Sequence, residues 1–275
     1  MKKVVIIGAG ASGLITAIYA KRNGNDVILI EKNEICGRKI LATGNGRCNY
    51  WNKDQSLSHY RGSNLKNIED ILNAKNEEEI LMFFRKIGIE PKIKNGYYYP
   101  FSNQAISIQK ALILEAEKQK VKILTDSEVV DILKNEKKFT IVLKNQNKIE
   151  TDIVVLSTGS KAAPKTGSDG FGYKICEKFK HTVNKPLPAL VQLRANEKYL
   201  KDWEGVRAEV SVKLYENEKE IGKEVGEIQL TNYGVSGICV FNLSGRVSKG
   251  LEASEKEKIE INFLDGLNIK NEKQF

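Results

Sequence analysis

Histidine is nearly absent from this chain, which places only His59 and His181 among 275 residues. The four cysteines, Cys36, Cys48, Cys176 and Cys239, lie far apart, with no Cys-x-x-Cys pair and no histidine cluster beside them. That pattern supports neither a zinc site nor a disulfide framework, and no metal is expected. Long apolar runs are lacking too. The first, Val4-Val5-Ile6-Ile7, stops at a glycine and is too short for a membrane span or a signal peptide, so a cytoplasmic protein without a membrane partner is expected. There is no internal repeat and no low-complexity linker.

Acid is not scarce, although the net charge is +9. Lysine alternates with carboxylates, as in Lys53-Asp54, Glu77-Glu78-Glu79 and residues 134–138 and 255–260, which is the pattern of solvated faces. Only Lys2-Lys3 and residues 118–122 and 161–165 are locally basic, so a nucleic-acid partner is the disfavoured reading.

What is present concentrates in the first fifty residues. The apolar run meets Gly8-Ala9-Gly10-Ala11-Ser12-Gly13, and a second apolar run at 27–30 ends on Glu31. This is the layout of a dinucleotide-binding βαβ unit, with residues 11–21 as its crossover helix. Gly8 permits the tight turn, Gly10 lets a pyrophosphate approach the backbone, and Gly13 lets the helix pack on the sheet. The helix N-terminus then offers free N–H groups to phosphates. Glu31 is placed to accept the hydroxyls of an adenosine ribose, and its charge disfavours the 2′-phosphate of NADP.

Further along, residues 64–87 read as two short helices, 89–99 as a hairpin around Asn95-Gly96, and 104–120 as an amphipathic helix. Three β segments are expected at 121–133, 139–143 and 149–156, then a helix at 170–179. Pro186-Leu187-Pro188 punctuates a boundary, beyond which strands at 206–215, 219–230 and 259–263 surround a short helix at 240–247. The fold class is α/β: a Rossmann-like domain over residues 1–188, then a β-rich domain over 189–275 on the substrate side.

The run Gly37-Arg38-Lys39-Ile40-Leu41-Ala42-Thr43-Gly44-Asn45-Gly46-Arg47-Cys48-Asn49 follows the ribose-binding strand. On composition it is either an ordinary glycine-rich loop or a backbone nest with cations for a diphosphate or an anionic flavin ring. With the Gly8–Gly13 turn, it resembles the bacterial FAD-binding flavoproteins of the aminoacetone oxidase, or NAD(P)/FAD-dependent oxidoreductase, family. Tyr99-Pro100-Phe101-Ser102, Ser157-Thr158-Gly159-Ser160-Lys161, Pro164-Lys165-Thr166-Gly167-Ser168, Pro188-Ala189-Leu190-Val191 and Thr231-Asn232-Tyr233-Gly234-Val235-Ser236-Gly237 extend the likeness along the chain.

The resemblance implies FAD bound by Gly8, Gly10, Ala11, Ser12 and Gly13, by Glu31 and Lys32, and by Arg38 and Lys39. It adds Thr43, Gly44, Asn45, Arg47, Cys48 and Asn49 near the flavin, Val129 against the adenine, and Thr158 and Gly159 towards the diphosphate. It implies hydride passage through flavin N5, a small-molecule substrate of unread identity, such as an amine or ketone, and NAD(P)H as a candidate electron donor. Family members return from the second domain with a glycine-rich strand and helix over the flavin. None is found before Phe275, so a shortened member is expected. A non-catalytic FAD-binding protein and a flavoprotein acting on RNA stand as alternatives. No catalytic residue is named: Cys36, Cys48 and the two histidines read more simply as structural or surface groups, and Tyr97-Tyr98-Tyr99 as cross-strand packing.

Overall fold

The computed structural model describes residues 1–62, 64–74 and 76–265. Residues 266–275 of the expected second domain lie outside the described residues. The chain divides into two compact units, Met1–Val183 and Asn184–Phe275.

In the first unit the elements run β1 (Lys3–Ile7), α1 (Ala11–Arg22), β2 (Asp26–Ile30), α2 (Arg38–Ala42), β3 (Trp51–Asn52), α3 (Leu65–Asn73), α4 (Glu77–Lys86), β4 (Pro91–Lys94) and β5 (Tyr97–Pro100). They continue with α5 (Ala105–Lys118), β6 (Lys122–Leu124), β7 (Val129–Lys134), β8 (Phe139–Leu143), β9 (Lys148–Thr151), β10 (Ile153–Leu156) and α6 (Phe171–Lys178). A parallel sheet of order β10-β1-β2-β6 is its centre. Being covered on both faces, its inner strands are apolar throughout rather than alternating.

Alternate residues of β1 and β2 serve two separate cores. Val4, Ile6, Val27 and Leu29 meet Leu14 and Ile18 of α1 and Ile108 and Leu112 of α5. Val5, Ile7, Ile28 and Ile30 meet the antiparallel meander β7-β8-β9 through Val129, Ile132 and Ile141, and α6 through Ile175. Each such fully buried aliphatic side chain contributes about 1.5–3 kcal/mol. The Arg22–Glu115 pair, 2.7 Å long, ties α1 to α5 at the rim of the first core.

The structure corrects three readings of local pattern. Residues 121–133 form two strands in different sheets, β6 and β7, because Asp126 (φ 49) turns the chain out of the parallel sheet. Residues 149–156 likewise divide into β9 and β10; at the break, Thr151 donates to Lys3 O at 2.8 Å and Asp152 accepts Lys3 N–H at 2.8 Å. The glycine-rich run after β2 opens as a helical turn, α2, capped by left-handed Gly37. The hairpin stands as read, with Asn95 (φ 51) and Gly96 (φ 79) as its two left-handed turn residues.

The second unit is β-rich. Its elements are β11 (Leu193–Arg194), β12 (Arg207–Glu216), β13 (Lys219–Thr231), β14 (Gly234–Ser236), α7 (Ile238–Glu252) and β15 (Glu257–Asn262), with sheet order β11-β14-β13-β12-β15. Helix α7 is longer than the expected 240–247, starting directly after Gly237. It lays Val240, Leu243 and Val247 on Val210, Val212, Leu214 and Ile228. Residues 231–237 are not one turn: Thr231 ends β13, Asn232 and Tyr233 turn the chain, and residues 234–236 pair back as β14.

Burial raises the Glu115 pKa, but hydrogen bonds from Arg22 and Gln119 outweigh it, so the carboxyl sits below its ordinary value. A group lowered on folding stabilises above its unfolded pKa, about 4.3 for glutamate, and that contribution is lost as pH falls through the folded value. Glu115→Gln is therefore expected to cost about 1 kcal/mol at neutral pH. The gap to the parent should close under acid conditions, as read by urea unfolding over a pH series.

Candidate functional site

Three glycines at the end of β1 do three different things. Gly8 is left-handed (φ 98), donates to Ile30 O at 2.7 Å, and has Ser157 O 2.5 Å from where a Cβ would stand. A Cβ on Gly13 would fall 1.9 Å from Gly8 O, so the first turn of α1 sits directly on the backbone before it. Gly10 is the opposite case: a Cβ there would meet nothing within 4 Å, because the residue faces open space. No side chain caps the N-terminus of α1 and no acid lies in its first turn, which leaves a partial positive charge and unpartnered N–H groups at exposed Ala11 and Ser12.

Glu31 stands beside this turn at the end of β2, only 9% exposed. Its Oε2 accepts Ala9 N–H at 2.9 Å, and its Oε1 accepts the Asn33 N–H at 2.9 Å and the Asn33 side-chain amide at 2.7 Å. An ionised carboxylate has about four acceptor positions, so most of its capacity goes to fixing its own orientation and about one position remains for a ligand hydroxyl.

The cations behave differently from one another. Arg38 is exposed towards the cavity and makes no hydrogen bond or ion pair among the described residues. Lys39 donates to Ala162 O at 2.8 Å and to Ser168 Oγ at 3.0 Å, and Lys32 pairs with Asp169 at 2.8 Å. The Lys32 hydrogen bond, aided by the Phe171 N–H, holds the Asp169 carboxyl below its ordinary pKa. Arg47 donates to Gly44 O at 3.1 Å and lies over the Tyr99 ring at 5.0 Å.

The glycine turn, the α1 terminus, Glu31, Lys32, Arg38 and Lys39 line a cavity of about 980 Å³. Of the residues expected to hold a cofactor, Gly8, Gly10, Ala11, Ser12, Glu31, Lys32, Arg38, Lys39, Thr43, Cys48, Asn49, Val129, Thr158 and Gly159 line it. Gly13, Gly44, Asn45 and Arg47 do not line it; Gly13 is buried in the first turn of α1. Sequence reading did not single out the apolar wall of Ile15, Tyr19, Ile80, Phe83 and Phe84. Tyr19 stacks on Phe83 with centroids 5.6 Å apart, and Phe84 packs on Tyr50 at 4.4 Å. The signal for it was the apolar side of α4, which reads the same for a core as for a cavity.

Burial pushes the Cys36 thiol up to about 11, and it raises Cys48 against an opposing Thr43 hydrogen bond. Neither is a ready thiolate. His59 bonds Asp54 at 2.8 Å on the surface, and that bond is the main cause holding Asp54 down at about 2. Among the described residues no group of three His, Cys, Asp or Glu side chains could hold a metal, and no helix is long and apolar enough to cross a membrane.

A parallel sheet ending in a glycine turn, an uncapped helix N-terminus and an acid on the neighbouring strand define a dinucleotide-binding Rossmann domain. The model of the HI0933-like protein Rossmann domain matches residues 2–249, and the chain belongs to that FAD-binding family. It is 38% identical over 266 residues to a 3-dehydro-bile acid delta(4,6)-reductase of Clostridium scindens, covering 96% of this chain and 65% of that protein. It is 28% identical over 274 residues to a ribosomal RNA dihydrouridine synthase of Haemophilus influenzae, covering 98% of this chain and 66% of that one. The chain thus spans about two thirds of the length of these relatives. Among solved structures, a 3-ketosteroid-delta4-(5alpha)-dehydrogenase of Rhodococcus jostii matches with a TM-score of 0.45 at 18% identity, over 58% of this chain and 46% of that one.

The glycines separate fold from binding. Gly10→Ala keeps an ordinary φ of −73° and meets no neighbour. Its unfolding free energy should match the parent within the roughly ±0.5 kcal/mol of a neutral surface change, while FAD affinity falls at least about ten-fold as the methyl blocks the approach to the turn. Gly13→Ala should instead lose about 1–3 kcal/mol by overpacking. Calorimetry and flavin fluorescence titration on the two variants give both readouts.

Proposed function

We propose that this chain is an FAD-dependent oxidoreductase, a reductase of an apolar small molecule that takes its electrons from NAD(P)H. One observation carries the reading: the uncapped α1 terminus, Glu31 and Arg38, which has no partner among the described residues, meet in a single cavity of about 980 Å³. FAD, when bound, supplies a hydride acceptor and donor at flavin N5.

The protein's own part is binding and orientation. Glu31 accepts a ribose hydroxyl at its remaining position, and the charge on it repels a 2′-phosphate. The N–H groups of Ala11 and Ser12 and the guanidinium of Arg38 hold the diphosphate, as helix N-termini and arginine do for phosphates generally. Val129 covers the adenine. The aromatic wall of Tyr19, Phe83 and Phe84 excludes water and favours an apolar ligand over a charged one. The bile acid reductase, at 38% identity, supports reduction of a small molecule over the other candidate chemistries. A cytoplasmic setting fits an NAD(P)H-linked reaction.

A second reading, reduction of a base in RNA, is favoured by the net charge of +9 and by the dihydrouridine synthase at 28% identity. The two readings separate by experiment. Purified protein should show visible flavin absorption, which NADPH or NADH bleaches anaerobically, and a steroid enone should restore the colour. Restoration by RNA alone, with a gel shift that weakens steeply with salt, would support the second reading. Colourless protein that cannot be loaded with FAD would refute both. Glu31→Arg should weaken FAD binding about 100-fold or more, since it removes a charged acceptor and adds a repelling cation.

A further inference from the structure

We propose that Lys32 and Lys39 are positioning residues: they fasten the segment 160–169 across the Glu31 end of the cleft as a strap, and the opening of that strap sets how fast FAD leaves. This rests on the FAD reading above.

The contacts grip the strap near both its ends. Lys39 reaches Ala162 O at 2.8 Å and Ser168 Oγ at 3.0 Å, and Lys32 reaches Asp169 at 2.8 Å. An ammonium has three donors, so Lys39 has spent two on the strap. Arg38, between them in sequence, has spent none and is the cation left for phosphate. Backbone packing follows the same line. A Cβ on Gly167 would stand 2.7 Å from Asn33 Nδ2, and one on Gly159 would stand 2.9 Å from Ser168 Oγ. The same Asn33 amide donates to Glu31 Oε1 at 2.7 Å. The strap therefore abuts the group that orients the ribose acceptor, and loosening the one loosens the other. The Lys32–Asp169 pair is partly exposed, with side chains 31% and 57% accessible, so it holds the strap only modestly and lets it open.

The test uses FAD-loaded full chain with Lys32→Met, Asp169→Asn, both together, and Lys39→Met. Asp169→Asn keeps the oxygen that accepts the Phe171 N–H at the start of α6. FAD release is followed by recovery of flavin fluorescence on dilution. Lys32→Met and Asp169→Asn should each speed release about two- to five-fold, and the double variant should be no faster than either single one. Lys39→Met should speed it about ten-fold through two lost hydrogen bonds. Trypsin should cut after Lys161 and Lys165 faster in every variant, with or without FAD.

If Lys32 is instead a phosphate ligand, Asp169→Asn removes a repelling charge. Release would then slow, the double variant would be additive and trypsin cleavage would not change; that outcome overturns the proposal. A parent protein that takes up no FAD overturns the function and with it any role in release, while the trypsin rates still report whether the strap exists.

Discussion

Backbone against backbone, with no room for a side chain, is the constraint on which the first unit depends. The Gly8 carbonyl lies where a Cβ on residue 13 would be, and Ser157 O lies where a Cβ on Gly8 would be. Three pieces of chain, the end of β1, the first turn of α1 and the exit from β10, are thereby locked at one point. The open edge of the cleft is the reverse side of that lock. Because Gly8 and Gly13 absorb the crowding, Gly10 is free to face a ligand. The same geometry aims the uncapped helix terminus at the cleft, so the packing that stabilises the turn also creates its positive potential.

Legibility in the sequence followed how local the governing physics was. The glycine turn, the acid after β2 and the Asn95-Gly96 hairpin are set by a few adjacent residues with special backbone needs, and all three were readable. The division of residues 121–133 between β6 and β7 was not. Both halves favour strand, and only the neighbours they find decide which sheet each joins. The site divides the same way. Glu31 and Gly10 were visible as residue types at fixed offsets, and Arg38 only as one cation of a glycine-rich run that a family resemblance singled out. The partners of Lys39 lie more than a hundred residues away, so sequence could count its charge without showing how that charge is spent. The apolar wall from α4 was hidden for a related reason, since periodicity shows which side of a helix avoids water and not what fills the space beside it.

Charge illustrates the same separation of count from use. The net +9 suggests a uniformly basic protein. In the structure, pairs such as Lys144–Glu128 and Lys185–Glu252 take up lysines at exposed positions, where each contributes little to stability. What matters for binding is a cation such as Arg38, which has no internal partner among the described residues and lines the same cavity as the helix terminus, because there the potential is focused rather than spread.

The pairing of β1 with both β2 and β10 has a consequence during synthesis. Val4 meets Val27 within the first thirty residues, but meets Ile153 only after the whole α2–β9 excursion has been made. Contacts of such long sequence separation form late and slowly. The half of the cleft built from the glycine turn and Glu31 can assemble early on the ribosome. Its other lip, from Ser157 to Gly159, cannot exist until roughly three fifths of the chain has emerged, so the growing polypeptide passes through a long interval with half a cofactor site and an unpaired β1 edge. For that interval, the β1 edge is open to pairing with another strand.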